Sequence, residues 1–380
     1  MINSDLPGYR CPRDGRTAAA SELRWRCPDC GSPWDLEFAA GPVDHDQLRD
    51  RVSSLWRYAE ALPLADPMIS FGEGRTPLVS ITDRLRVKLD YLTPTLSFKD
   101  RGAVMLLEAA RRLQPERVIA DSSGNAGTAV AAYAARAGLP CRIYVPASTS
   151  AKKIEQVRAH GADVMIIDGD REATAAAAQQ AADELGTFYA SHVYNPYFLH
   201  GTKTYGYELW EDLGGRLPEV IVLPVGNGTL VLGVALAIAE LLDHGLIDQC
   251  PRLVAVQAEA VSPLARARRE GLASVPPGYA HGAETITEGI AIAEPARSTQ
   301  ILQAIAASDG DIVTVTDDEV RAAQRDLARR GLYVEATAGA CWAAIRHAEQ
   351  DDHDQLGWQL LADQETVAPL CGAGLKTGLA

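Results

Sequence analysis

The sequence predicts an α/β fold: two open, twisted, mostly parallel sheets with helices on both faces, plus a small cysteine-bearing segment ahead of them. Three observations carry that expectation. Short runs rich in Val and Ile alternate with helix-patterned stretches of about ten to fifteen residues, the spacing of βαβ units. The short runs are apolar throughout, as strands covered on both sheet faces must be. The first 40 residues stand apart, rich in Cys, Pro, Arg and Trp and weak in helical periodicity.

The elements follow in order. After Gly41 and Pro42 a helix is expected from Asp46 to Leu62, then a turn-rich stretch at Phe71-Gly-Glu-Gly-Arg-Thr-Pro77. Arg117 to Ser122 reads as a strand and Ala126 to Ala137 as a helix. The pair repeats at Cys141 to Pro146 with Ser150 to His160, and again at Ala162 to Asp168 with the Ala-rich Arg171 to Leu185. The alternation resumes with a strand at Glu219 to Val225, a helix at Leu230 to His244 and strands at Arg252 to Ala258 and Asp311 to Thr316. Thr316-Asp-Asp-Glu319 has the spacing of a capping box, so a helix is expected to open there. Thr366 to Leu370 reads as the last strand. A chain of 380 residues is too long for one small core. The expected division is a segment over 1–40, a large domain from 41–94 with 205–380, and a small α/β domain over 95–204.

Fifty acidic residues against 36 basic ones give a net charge of −14. A surface of that sign repels phosphate backbones and anionic lipid, so neither nucleic acid nor a membrane is an expected partner. No apolar run approaches the roughly 18 residues of a membrane span. Met1 to Arg10 has no apolar core of a secretory signal, so the expected address is the cytoplasm. Seven cysteines, three of them clustered at the start, do not read as a disulfide framework.

Three motifs carry chemistry. Lys99, in Ser97-Phe98-Lys99-Asp100-Arg101-Gly102, falls where a turn enters a helix; apolar cover and the helix dipole there would free its amine to form an imine. Taken alone, a solvated surface lysine is the competing reading. Ser122-Ser-Gly-Asn-Ala-Gly127 joins a strand to a helix, and its small residues let a ligand lie against free N–H groups. Gly226-Asn-Gly-Thr229 does the same after another strand and has the make-up of a phosphate cradle, though a plain turn would read alike.

In this order the motifs resemble the pyridoxal-phosphate-dependent enzymes of the tryptophan-synthase-β fold type (fold type II), threonine synthase most closely. Gly72-Glu-Gly-Arg-Thr-Pro-Leu78, Thr93-Pro-Thr-Leu-Ser-Phe-Lys-Asp-Arg101 (Leu96 standing where Gly is usual), Ser122 to Gly127, Gly226 to Thr229, Gly331-Leu-Tyr-Val-Glu335 and Leu370-Cys-Gly-Ala-Gly-Leu-Lys376 carry the likeness over about residues 70 to 376. The resemblance implies that Lys99 bears pyridoxal 5'-phosphate and moves the substrate's Cα proton. It implies that Asn125 meets the phenolic oxygen, and that Gly226, Asn227, Gly228 and Thr229 hold the phosphate within the large domain. Thr95 and Ser123 would grip the carboxylate of a small amino-acid substrate. Cys371 falls where these families place a Ser or Thr beside the pyridine nitrogen. A neutral group there does not enforce protonation and suits elimination or replacement; a small buried Cys filling space is the competing reading. The resemblance also implies a homodimer.

Some stretches depart from threonine synthase. In Ser191-His-Val-Tyr-Asn-Pro-Tyr-Phe198, Phe198 stands where that family tends to carry an Arg, which removes a bidentate contact to a phosphate dianion and counts against O-phosphohomoserine as substrate. Lys203, in Gly201-Thr-Lys203, offers a charge that could replace that contact, but reads first as a surface residue. Glu284-Thr-Ile-Thr-Glu-Gly-Ile-Ala291 resembles threonine/serine dehydratases. The expectation is therefore a lyase or synthase acting by elimination or replacement at Cβ or Cγ, with a dehydratase as the alternative and a non-catalytic ligand-binding relative as the reading from another class. Cys27-Pro-Asp-Cys30-Gly31 forms one metal knuckle, and Cys11-Pro-Arg-Asp14-Gly15 offers a second with Asp14 in place of a cysteine. Cys11, Asp14, Cys27 and Cys30 would hold a structural zinc in a ribbon-like segment; a ribbon that has lost its metal is the alternative.

Overall fold

The computed structural model describes residues 6–349 and 356–380. The chain runs through β1 (Tyr9–Arg10), β2 (Thr17–Ala18) and β3 (Asp35–Leu36), then 3-10 turns at Asp46–Asp50 and Leu55–Ala61. There follow β4 (Leu78–Ser80), β5 (Leu85–Lys88), α1 (Lys99–Leu113), β6 (Arg117–Ala120), α2 (Asn125–Ala137), β7 (Cys141–Pro146), α3 (Ala151–Ala159), β8 (Asp163–Ile167), α4 (Arg171–Ala182), β9 (Thr187–Tyr189) and α5 (Tyr197–Thr202). The last part holds α6 (Thr204–Asp212), β10 (Val220–Pro224), α7 (Thr229–Asp243), β11 (Arg252–Ala258), α8 (Pro263–Arg269), α9 (Ser298–Ala307), β12 (Asp311–Val315), α10 (Asp317–Arg329), α11 (Ala336–Ala348), α12 (Leu356–Asp363) and β13 (Thr366–Pro369).

Two compact units result. The first takes Met1–Gly74 with Lys99–Thr202. Its four-stranded sheet, in the order β8-β7-β6-β9, is parallel throughout, and β1–β3 form a small antiparallel sheet. Helix α1 packs against α2 and α5, and Leu55, Trp56, Leu62, Leu64 and Ile69 enter the same apolar core as α1. That burial is why residues 41–74 go with this unit, although the sequence reading grouped them with 205–380. The helix expected over Asp46 to Leu62 is instead two 3-10 turns. The Arg57 guanidinium donates to the Leu48 and Val52 carbonyls, which a continuous helix would have used itself, and Ser54 between them is extended at φ −155°.

The second unit takes Arg75–Phe98 with Lys203–Ala380. Its six-stranded sheet has the order β12-β11-β10-β13-β5-β4, parallel except for β4 against β5. Every residue of β10 is buried, as the uninterrupted Val-Ile-Val-Leu-Pro run predicts. The capping box forms as expected: the Glu319 N–H donates to Thr316 Oγ1 (3.3 Å) and the Thr316 N–H to Glu319 Oε2 (2.7 Å).

Candidate active site

In the first unit, Lys99 is the first residue of α1. Its Nζ lies 5.6 Å from the centroid of Phe198, a fully buried ring. Phe198 sits on Gly102, one turn along the same helix; a Cβ there would come within 2.4 Å of the ring, so only glycine lets the two approach. Helix α2 opens at Asn125 behind Gly124, with no side chain capping it, and Ser123 precedes that turn. A Cβ at Gly127 would lie 1.8 Å from the Ser122 carbonyl oxygen, so the 122–127 loop folds too tightly on itself for any side chain at that position. Uncapped N–H groups at a helix start attract anions such as a carboxylate. Glu73 braces this unit from behind. Its buried carboxylate accepts from Trp56 Nε1 (2.8 Å), Ser70 Oγ (2.8 Å), the Phe71 N–H (2.8 Å) and the hydroxyl of Tyr133 on α2 (3.0 Å).

The second unit carries Thr95, Gly226, Asn227, Gly228, Thr229 and Cys371. Helix α7 opens at Thr229 behind Gly228, which is left-handed at φ +75°, again without a side-chain cap. A Cβ at Gly228 would meet Ile301 at 2.3 Å, and one at Gly226 would meet Ile290 Cα at 2.9 Å. The dehydratase-like stretch therefore packs directly on the glycine turn. Two closely packed glycines before an uncapped fifteen-residue helix make a cradle of backbone donors suited to a phosphate.

The segments that bear Thr95 and Cys371 are joined by a short antiparallel pairing of Ser97 with Gly372. The Phe98 N–H donates to the Cys371 carbonyl (3.0 Å) and the Ala373 N–H to the Leu96 carbonyl (3.1 Å). The peptide just before Lys99 is thus pinned to the strand end that bears Cys371, a fully buried residue. Leu96, where glycine is usual in the resembling family, adopts φ +62°.

Ser97 was not singled out by sequence reasoning. Its hydroxyl is fully buried and has no hydrogen-bond partner among the described residues. A buried orphan hydroxyl costs about 1–3 kcal/mol, which a bound ligand group would recover. The only sequence signal was its place two residues before Lys99. Each by itself, the uncapped glycine turn with the orphan hydroxyl has the chemistry to take a phosphorylated group, and the lysine at a helix mouth the chemistry to take an aldehyde.

Lys203 is corrected by the structure. It is fully buried, not at the surface, and pairs with Glu240 at 2.6 Å, so it is committed to the fold. Burial lowers its pKa to about 8 against the pull of Glu240. In the N-terminal segment, Cys11, Asp14, Cys27 and Cys30 do converge, with ligand atoms within 4.8 Å of one another. Gly15 and Gly31, both left-handed, close the two knuckles by donating to the Cys11 and Cys27 carbonyls.

The two units of this α/β fold carry, each at a helix mouth, a lysine in the first and an uncapped glycine turn in the second. The family profile described as pyridoxal-phosphate dependent enzyme matches residues 69–361, and the chain belongs to that family. It is a threonine-synthase-like lyase: threonine synthase of Methanosarcina acetivorans is 32% identical over 95% of this chain and 94% of its own. Threonine synthase of Methanocaldococcus jannaschii is 32% identical over 97% and 92%. Among solved structures, maize serine racemase aligns with a TM-score of 0.68 at 23% identity, covering 88% of this chain and 94% of that one, a likeness of fold alone. No helix among the described residues is long and apolar enough to cross a membrane.

Proposed function

We propose that this chain makes a β-hydroxy amino acid by elimination and replacement at Cγ and Cβ of a small amino acid, in the manner of threonine synthase. The observation that carries the reading is the 32% identity to threonine synthase along nearly the whole of both chains. Pyridoxal phosphate, when bound, supplies an electron sink that acidifies the substrate's Cα–H. In this reading Lys99 Nζ holds the cofactor and then moves the Cα proton. The backbone N–H groups of Gly226, Asn227 and Gly228, with the Thr229 hydroxyl, bind the phosphate, and Asn125 meets the phenolic oxygen. Cys371 flanks the pyridine nitrogen without enforcing its protonation. Thr95 and Ser123 orient the substrate carboxylate.

A second reading, threonine/serine dehydratase, is favoured by Phe198: an apolar ring beside Lys99 offers no charge to a substrate phosphate. Purified protein supplied with O-phosphohomoserine, serine, threonine and activated serines separates the two. Threonine formed from O-phosphohomoserine supports the first reading. Keto acid and ammonia from serine or threonine alone would replace it with the second.

Zinc in the Cys11, Asp14, Cys27, Cys30 set is proposed as structural. Three thiolates and a carboxylate are accepted zinc donors, and their convergence supports it. We also place the enzyme in the cytoplasm as a homodimer, which sedimentation would test.

A further inference from the structure

His192 meets the same Phe198 ring as Lys99 and has no part in the chemistry above. We propose that His192 is a catalytic base: its imidazole takes the proton of the water that adds to the substrate's β-carbon in the replacement step. The inference rests on the replacement reading and deepens it. His192 belongs to a rigid turn between β9 and α5. The Ser191 hydroxyl accepts the Val193 and Tyr194 N–H groups (both 3.3 Å), and the Asn195 N–H donates to the Ser191 carbonyl (3.1 Å). The imidazole meets Phe198 at 5.8 Å and 62°, and Lys99 Nζ lies 5.6 Å from the same ring. Phe198 therefore fixes the imidazole and the amine against one support.

Ring nitrogens of a packed histidine are usually hydrogen-bonded. Here neither nitrogen has a partner among the described residues, and the side chain is only half-buried, so water can reach it. Burial first, then Lys99 on α1 and Arg171 at the start of α4, hold its pKa well below the usual value. The resting imidazole is thus a neutral acceptor, and an imidazolium formed there sheds its proton readily. In the step, one O–H bond of water breaks toward the imidazole nitrogen and the oxygen bonds to an electron-poor β-carbon. The electron pair of the C=C bond shifts toward the α-carbon, which takes back a proton from Lys99 Nζ. The imidazolium then releases its proton to solvent.

The test uses His192→Gln and His192→Phe, the latter keeping an aromatic contact to Phe198. Both variants are expected to take up pyridoxal phosphate and to exchange the substrate's Cα hydrogen for deuterium as the wild type does. The ratio of β-hydroxylated product to keto acid is expected to fall about 100-fold, the scale of a lost general base. In cofactor-free wild type, the imidazole resonance that His192→Gln abolishes should keep its neutral position well below the ordinary imidazole range. An unchanged product ratio in both variants, or an imidazole titrating at the ordinary value, would overturn the proposal while leaving the replacement reading intact. A wild type that forms only keto acid from every substrate takes both down together.

Discussion

Glu73→Gln is an isosteric change, so its effect isolates hydrogen bonding from packing. The native carboxylate receives two donors on each oxygen: Trp56 Nε1 and Ser70 Oγ on Oε1, the Phe71 N–H and Tyr133 hydroxyl on Oε2. An amide has one acceptor oxygen, so whichever way it turns, its NH2 group faces two donors. The hydroxyl of each pair can turn to accept from the amide, but one buried N–H, of Trp56 or of Phe71, loses its acceptor, so the variant should lose about 1–3 kcal/mol. Tyr133→Phe removes one donor but leaves Oε2 bonded to the Phe71 N–H, and should lose only about 1 kcal/mol. Urea unfolding followed by tryptophan fluorescence reads both, since Trp56 lies in the network. If Glu73→Gln unfolds within about 0.5 kcal/mol of wild type, the carboxylate does not organise the turn before Arg75 and the reasoning fails.

Three further outcomes are expected. Gly102→Ala drives a Cβ into Phe198 and should cost about 1–3 kcal/mol; combined with Phe198→Ala the cost should be less than additive, and strict additivity would show that the two do not touch. Burial raises the Asp121 carboxyl from 3.8 to about 6, against the pull of the Tyr189 hydroxyl and Arg171. The folded pKa exceeds the unfolded one, so the ionised carboxylate weakens the fold increasingly between about pH 4 and 6. Asp121→Asn should gain stability relative to wild type across that window and hold the gain at higher pH; a pH-independent difference contradicts this. Elemental analysis should find one zinc per chain, lost in Cys27→Ser with lowered stability of the first unit; metal-free wild-type protein of full stability would dismiss the zinc.

Much of the fold was legible in the sequence because local signals agreed. Cys141–Pro146 and Arg252–Ala258 appear with the bounds read from the sequence, since each is an apolar run closed by turn residues. Thr316 and Glu319 announced a helix start that forms as a reciprocal pair. What escaped depends on distant partners. Strand β5 carries Lys88, which reads as a surface residue until Glu208 and Asp212, far along the chain, neutralise it in the interior at 3.0 and 2.6 Å. The turns around Arg57 follow from a guanidinium taking helix carbonyls, which periodicity does not encode. The site motifs were visible as small residues at strand ends. Ser97 and His192 were not given roles, because one hydroxyl or one imidazole has no local pattern and its meaning comes only from what surrounds it.

The central claim is that Lys99 carries pyridoxal phosphate. The direct measurement is the visible absorption spectrum of purified protein, before and after borohydride reduction, with peptide mapping of the reduced label. The account predicts a cofactor band in wild type, its loss in Lys99→Ala, and the reduced adduct on the peptide containing Lys99. Protein that takes up no pyridoxal phosphate, or an adduct on another lysine, would contradict it.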